Sequence, residues 1–386
     1  MDNQIKNNEP KPLYNCSCYV FISTIAIAWV LTYQLFSILN INSKVISMEL
    51  DPFIILAIVC GYLGAIFVYS IGKIVSAKIL GYKLISLNIL GFSIIKNDKK
   101  YDCFFQWFEG IGFKFEYAPI KNQDKYRRYL RSGMFSSIIY EIILLSIFIV
   151  LNSIGNSKGS DYMVEVAYFI LIMFLFPLFI TTVSILPCLT DTPSDGFLLK
   201  RLKDEKAKEY YFANLINEYK MLSSQTDVEL KEVLEEDYNP FVLANLKYQY
   251  FYYFDRKDLI NLEKVSDLIL SKEKYFIDDY ALVLGYVGRI YCLVEQGFMD
   301  KASDYFWTLK GDVRKALTNK TNLDCVKIAL IVAAFMDVSW EDYDSIKNKY
   351  KKYLSSYFYQ YRIDIEEKEI NKVISKVEEK YPDWKD

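Results

Sequence analysis

Long apolar runs, uncharged except for Glu141 in the third, dominate the first half of the chain. They lie at about 18–39, 52–72, 133–154 and 166–190, and each is long enough to cross ~30 Å of hydrocarbon as a helix that rises ~1.5 Å per residue. Pro177 lies inside the last run, where it predicts a kink that neighbouring helices must satisfy. The pattern therefore predicts four membrane-spanning helices.

A different pattern fills the connection between the second and third runs. Between about residues 83 and 115, apolar and polar positions alternate and pass through a polar turn at 97–99. Alternation around a turn predicts a β-hairpin. The short amphipathic stretch from Tyr126 to Leu130 carries two arginines, so we expect it to lie at the lipid headgroups before the third span.

The second half of the chain has helical periodicity and no long apolar run. Two of its segments, 263–269 and 300–306, resemble each other at a separation of 37 residues. The second follows Gly297 and holds a small residue, Ala302, and an aromatic residue, Phe306, at the packing positions of a tetratricopeptide-type repeat. An array of helical hairpins is therefore expected, and a plain helical bundle fits the same pattern.

Together these patterns predict a mainly α protein in three parts. A polar tail, 1–17, precedes a membrane domain, 18–203, which combines about four spans with a small β-hairpin on the cytosolic side. A soluble helical domain follows at 204–386.

The distribution of lysine and arginine predicts the orientation. The segment 73–131 carries twelve of these residues, whereas the two opposite loops carry only Lys44 and Lys158. Positive charge is retained on the cytoplasmic side of a membrane. We therefore expect a multi-pass protein of the cell membrane with both termini in the cytoplasm.

Composition excludes much common enzyme chemistry. The chain has no histidine, which removes imidazole bases, Ser-His and Cys-His nucleophiles, and histidine-ligated metal sites. Its seven cysteines include no Cys-x-x-Cys pair, so neither a thiolate metal cage nor a disulfide framework is expected. A net charge of −2 argues against a nucleic-acid partner. We expect no cofactor.

One motif lies where the second run reaches the cytoplasmic side. The sequence from Tyr69 to Lys73 is Tyr-Ser-Ile-Gly-Lys, and Ala77 and Gly81 follow. It resembles the site-2 protease family of intramembrane zinc metallopeptidases, whose helix carries His-Glu-x-x-His, often with glycine before the second histidine. Gly72 matches that glycine. Tyr69 and Lys73 stand where the family has its histidines, and Ser70 stands where it has the general-base glutamate.

A second motif agrees with this resemblance. The family has Asn-x-x-Pro followed by Asp-Gly at the end of another span. Here Ser184 replaces the asparagine, Pro187 matches, and Asp195 and Gly196 match after a wider gap. The resemblance covers about residues 52–205. It implies a helical membrane bundle with an interior cavity that admits a peptide.

The three degenerate positions predict an inactive site. Zinc proteolysis needs two neutral imidazoles, a third ligand and a carboxylate that moves the proton, and an ammonium binds no zinc at neutral pH. We expect Lys73 to form an ion pair with Asp195, with Tyr69 hydrogen-bonding nearby. Glu141, in the third run, either joins this pair or faces a second polar pocket. The alternative for Lys73 is that it extends to the headgroups.

These expectations favour a catalytically inactive, site-2-protease-like membrane protein. It would bind or escort a membrane-associated peptide or protein within the lipid bilayer, with the helical tail as a further interaction module. One alternative is an active metallopeptidase in which Asp195, Tyr69 and Glu141 hold a metal. Another is an accessory component of peptide export or immunity, in which Lys73 and Glu141 line a path.

Overall fold

The computed structural model describes residues 52–384, with gaps at 90–91, 98–99, 106–112, 186–192, 226, 274–278, 319–322, 334–338, 356, 358 and 360–361. The predicted polar tail and the first predicted span, 18–39, lie outside the described residues. Within the described part the protein is mainly α-helical, with one small antiparallel sheet. The predicted fold class is confirmed at that level.

Among the described residues, three helices are long and apolar enough to cross a membrane: α1 (Pro52–Leu80), α2 (Tyr126–Lys158) and α3 (Asp161–Ile185). They coincide with the second, third and fourth apolar runs and support a multi-pass membrane protein. The helix α1 continues eight residues beyond the end predicted at 72. The stretch that begins at Tyr126, expected to precede the span, is the first turn of α2 itself.

The three long helices pack through apolar side chains and small residues. Leu144 and Phe148 of α2 are buried against Leu171 and Phe174 of α3. The helix α1 approaches its neighbours closely at its glycines, where a Cβ on Gly61 would lie 2.8 Å from the α3 backbone. Small residues are what allow membrane helices to approach in this way. The outward faces carry exposed isoleucine, valine and phenylalanine, as expected for contact with lipid.

The connection between α1 and α2 forms a four-stranded sheet. Its strands are β1 (Lys83–Ile89), β2 (Phe92–Asn97), β3 (Lys100–Phe105) and β4 (Phe113–Ala118), in the order β3-β2-β1-β4. Strands β1 and β4 are antiparallel, with a bulge at Ile85. The predicted single hairpin over 83–115 is therefore wrong in its number of strands. Alternation cannot show where a strand reverses, because the strands on both sides of a turn alternate alike.

A short helix, α4 (Asp195–Arg201), follows α3. The Ser194 hydroxyl caps its first turn by accepting a hydrogen bond from the Phe197 amide at 3.1 Å, the usual role of serine before a helix. Further helices are α5 (Glu205–Leu222), α6 (Val242–Arg256), α7 (Leu259–Ser271), α8 (Asp279–Glu295), α9 (Met299–Thr308), α10 (Gly311–Leu317), α11 (Leu323–Ala333), α12 (Trp340–Ser355) and α13 (Ile363–Lys380).

The described residues fall into two compact units. One holds α1–α4 and most of the sheet, and we call it the membrane unit. The other begins at Glu209 and also includes the sheet segment Ile95–Asp102; we call its helical part the helical unit. The two similar sequence segments lie in α7 and α9, and Gly297 has a positive φ of 82° in the turn before α9. The helical character is confirmed, and the repeat family stays a prediction.

Candidate functional site

The ammonium of Lys73 lies inside the membrane unit. Lys73 is only 3% exposed, whereas its neighbours Ile71 and Ile74 are 42% and 38% exposed. The helix α1 therefore turns the charged residue inward and the apolar residues outward. Lys73 does not extend to the headgroups, so that alternative is wrong.

Asp195 is the partner of this ammonium. It is the first residue of α4, and its Oδ1 lies 2.7 Å from Lys73 Nζ. The hydroxyl of Tyr69, one turn before Lys73 on α1, donates a hydrogen bond to the other carboxylate oxygen. The ion pair predicted from the sequence is thus present, and Tyr69 joins it. We call Tyr69, Lys73 and Asp195 the ion-pair cluster.

The ammonium of Lys73 makes two further contacts, a hydrogen bond and a cation–π contact. Lys73 Nζ donates to the carbonyl of Leu130 in α2 at 3.1 Å. The ring of Tyr129 lies 4.6 Å from the ammonium, within the range of a cation–π contact. On the other side, Ser184 of α3 has its hydroxyl within hydrogen-bonding range of Tyr69. The cluster therefore joins all three long helices to α4.

Glycines allow this close approach. A Cβ on Gly133 of α2 would lie 2.6 Å from the Tyr69 ring, so the glycine leaves the space that the ring fills. A Cβ on Gly72 of α1 would lie 2.3 Å from the Ser136 Oγ. Both distances from the added Cβ atom are shorter than real Cβ contacts, so glycine is required at these two positions. Gly196 has a different setting, as the second residue of α4 beside Asp195.

Two of the predicted site residues lie apart from the cluster. Ser70 Oγ donates to the Ile66 carbonyl of its own helix at 2.6 Å, so it supplies no base at the family's glutamate position. Glu141 accepts a hydrogen bond from Thr181 of α3 at 2.7 Å. Of the two alternatives for Glu141, the structure therefore favours the separate polar pocket.

The residues of the cluster do not fit a zinc ion. A catalytic zinc needs three protein ligands and an open position. Here an ammonium lies against the carboxylate of Asp195, and among the described residues no group of three or more Cys, Asp and Glu could hold a metal. The arrangement instead compensates one buried negative charge with one fixed positive charge.

A second cluster of buried charges lies in the helical unit and was not predicted. It consists of two cations, Lys327 and Arg362, and three carboxylates, Asp255, Asp324 and Glu366. Their side chains are at most 2% exposed, except for Asp255 at 13%. We call this set the buried charge network.

The network connects α6, α11 and α13. Arg362 lies 2.9 Å from Asp255 of α6 and 3.1 Å from Glu366 of α13, and Lys327 of α11 forms an ion pair with Glu366. The guanidinium also lies 4.2 Å from the ring centre of Phe251. Residues 107 positions apart are thereby held together.

Burial raises the pKa of two carboxyl groups of the network, those of Asp324 and Asp255. Removal from water raises the pKa of Asp324, an effect that Lys327 partly opposes. Burial likewise raises the pKa of Asp255, against the opposing effect of Arg362. With all groups ionised, three negative charges face two positive ones. Repulsion from Glu366 adds to the effect of burial and raises the pKa of both aspartates further.

Comparison with known proteins gave no relative. No family model matches the chain. No curated protein matches it. No solved structure matches it.

Proposed function

We propose that this protein is a non-cleaving membrane protein, built on the plan of the site-2 proteases, that binds a membrane-associated peptide or protein. The observation that carries the proposal is the contact between Lys73 and Asp195, 2.7 Å apart. Lys73 occupies the place of a metal-ligating histidine in the resemblance, and Asp195 occupies the place of the family's aspartate. The positive charge has been kept while the metal ligands have been lost.

Lys73 can replace the metal ion of a peptidase because both offset the negative charge of the aspartate. A carboxylate at membrane depth without a partner costs about 2.5–3.5 kcal/mol on insertion scales. A metal ion would offset that cost in a peptidase, and Lys73 offsets it here without supporting hydrolysis. The glycines at 72 and 133, which admit the cluster between α1 and α2, support an interior shaped around these residues.

The orientation belongs to the same proposal. The basic residues of the connection between α1 and α2 support a cytoplasmic position for the sheet, because positive charge is retained on that side of the membrane. The helical unit then lies in the cytosol, where it acts as an interaction module.

A restoration variant tests the proposal. Tyr69→His, Ser70→Glu and Lys73→His together recreate the metallopeptidase motif on α1. We expect the purified full-length variant to bind one zinc per chain, dependent on Asp195, whereas the unaltered protein binds none in elemental analysis. A matched control carries histidines at Lys78 and Lys83, outside the cluster.

Metal binding by the unaltered protein would instead favour the alternative, an active metallopeptidase. Stoichiometric metal in the unaltered protein, with cleavage of a membrane peptide that Asp195→Ala removes, would show a metallopeptidase with unusual ligands. Failure of the restored variant to bind zinc would contradict the site-2-protease plan.

The binding function is tested separately, by site-specific photo-crosslinking of the full chain in native membranes. The absence of any membrane-associated adduct would contradict it.

A further inference from the structure

Glu141 is an acidic residue in the middle of an otherwise apolar span. It lies ten positions after Arg131, the last cation before the apolar part of α2, and the next charge on the helix is Lys158. Ten residues of helix correspond to ~15 Å. That distance places the carboxyl close to the midplane of a hydrocarbon layer ~30 Å thick.

The carboxyl of Glu141 is only partly satisfied. It is half-buried and accepts one hydrogen bond, from Thr181, although an ionised carboxylate offers about four acceptor sites. One turn earlier on the same face, the hydroxyl of Ser137 is fully buried and has no hydrogen-bond partner among the described residues. The half-buried carboxyl of Glu141 thus keeps acceptor capacity at this depth.

Within the described ranges, no lysine or arginine forms an ion pair with Glu141, whose hydrogen-bond donor is Thr181. Lys73 is committed to Asp195 and the Leu130 carbonyl. The apolar run between Lys11 and Lys44 contains no charge. Lipid tails have no donors at all. A cation that pairs with Glu141 at this depth would therefore belong to another protein.

The surface around Glu141 is suited to a helix. Ile138 and Ile142, on either side of it along α2, are 38% and 60% exposed. They form an apolar face, and the half-buried carboxyl lies at its edge beside α3. An apolar face with one central polar group is the arrangement by which membrane helices recognise each other, since packing supplies contact and the polar pair fixes the register.

We propose that this face of α2 and α3 docks a transmembrane helix of a partner protein that carries a lysine or arginine at mid-membrane depth. A basic residue in a lone span is as unfavourable as an acidic one, and pairing the two relieves both. Charge complementarity thus selects a basic span over a purely apolar one. The inference rests on the proposed function, because it gives the chemical character of the client's membrane segment.

A pair of model peptides tests this docking. One apolar peptide of about 21 residues, long enough to span the bilayer, carries a single central lysine, and its control carries methionine there. Fluorescence energy transfer to the full-length protein in vesicles reports binding. We expect the lysine peptide to bind on the order of tenfold more tightly than the methionine peptide, and Glu141→Gln to remove that difference.

The control variants separate the outcomes. Glu141→Gln can still accept the hydrogen bond from Thr181, and Glu141→Asp, which keeps the charge, should retain part of the preference for lysine. Glu165→Gln removes an exposed acid near the start of α3 and should leave the preference intact.

Equal binding of the two peptides to the unaltered protein would overturn the inference, as would a lysine preference that survives Glu141→Gln. Self-association that depends on Glu141, without a preference for lysine, would overturn it in favour of a second copy of the chain. If the native client still crosslinks to Glu141→Gln as before, the inference fails while the proposed function stands.

Discussion

The membrane unit and the helical unit both bury charge, but they balance it differently. The ion-pair cluster contains one cation and one anion, Lys73 and Asp195, completed by the Tyr69 hydroxyl. The buried charge network contains two cations and three carboxylates. The first is balanced within itself, whereas the second carries an excess of acid that protonation can relieve.

This difference indicates two roles for buried charge in one chain. In the membrane unit, the pair fills a place where, in the proposed ancestry, a metal ion once balanced the aspartate. In the helical unit, the network joins three helices that are far apart in sequence. A buried ion pair contributes little net stability over an apolar replacement, but losing one partner is costly because the other charge stays buried. Removing single partners is therefore the way to separate the two roles.

The largest effect is expected when Arg362 is replaced by methionine. The change leaves Asp255 and Glu366 buried with only Lys327 to compensate them, which should lower the free energy of unfolding of the helical unit by about 3–5 kcal/mol. Amide hydrogen exchange of α6, α11 and α13 in the full-length protein measures the loss. The control Arg256→Met removes an exposed arginine that stacks on Tyr252. Similar exchange in the two variants would contradict a structural role for the network.

A smaller effect is expected in the membrane unit. Lys73→Met leaves Asp195 without its cation, which should lower stability by about 2.5–3.5 kcal/mol. Adding Asp195→Asn should recover most of that loss, because no uncompensated charge remains. Denaturation of the purified protein in detergent measures both variants, with the exposed Lys78→Met on the same helix as the control. Equal stability of the single and double variants would show that the pair carries no coupling.

The sequence predicted the ion-pair cluster because the first motif kept its spacing and the second kept its aspartate. Tyr69 and Lys73 are one helical turn apart, so both had to share a face of α1. Asp195 and Gly196 matched the second motif of the family. The spacing alone did not separate Ser70 from the site. The Ser70 hydroxyl donates a hydrogen bond to the Ile66 carbonyl, four residues earlier in its own helix. Serine often forms this bond in helices.

The buried charge network escaped prediction for a physical reason. Asp324 and Lys327 are three residues apart, and Arg362 and Glu366 are four apart; these are the spacings of exposed pairs on any solvated helix. Only the tertiary fold brings Arg362, which immediately precedes α13, to Asp255 of α6 across 107 residues. Tertiary contacts of this kind leave no local pattern in a single sequence. The extra strands of the sheet were missed because alternation does not locate a reversal.

The smallest expected effect is a change in the pH dependence of the helical unit. Burial raises the pKa of Asp324, so the folded state binds this proton more tightly than the unfolded chain, in which a free aspartate titrates near ~3.9. The resulting stabilisation is fully present below that pH and is lost as the pH rises through the folded pKa. Relative to Asp324→Asn, the unaltered protein should therefore lose stability as the pH increases from about 4. The measurement is the exchange rate of the α11 amides at a series of pH values, corrected for the intrinsic effect of pH. Parallel pH curves for the two proteins would contradict a titrating acid in the network.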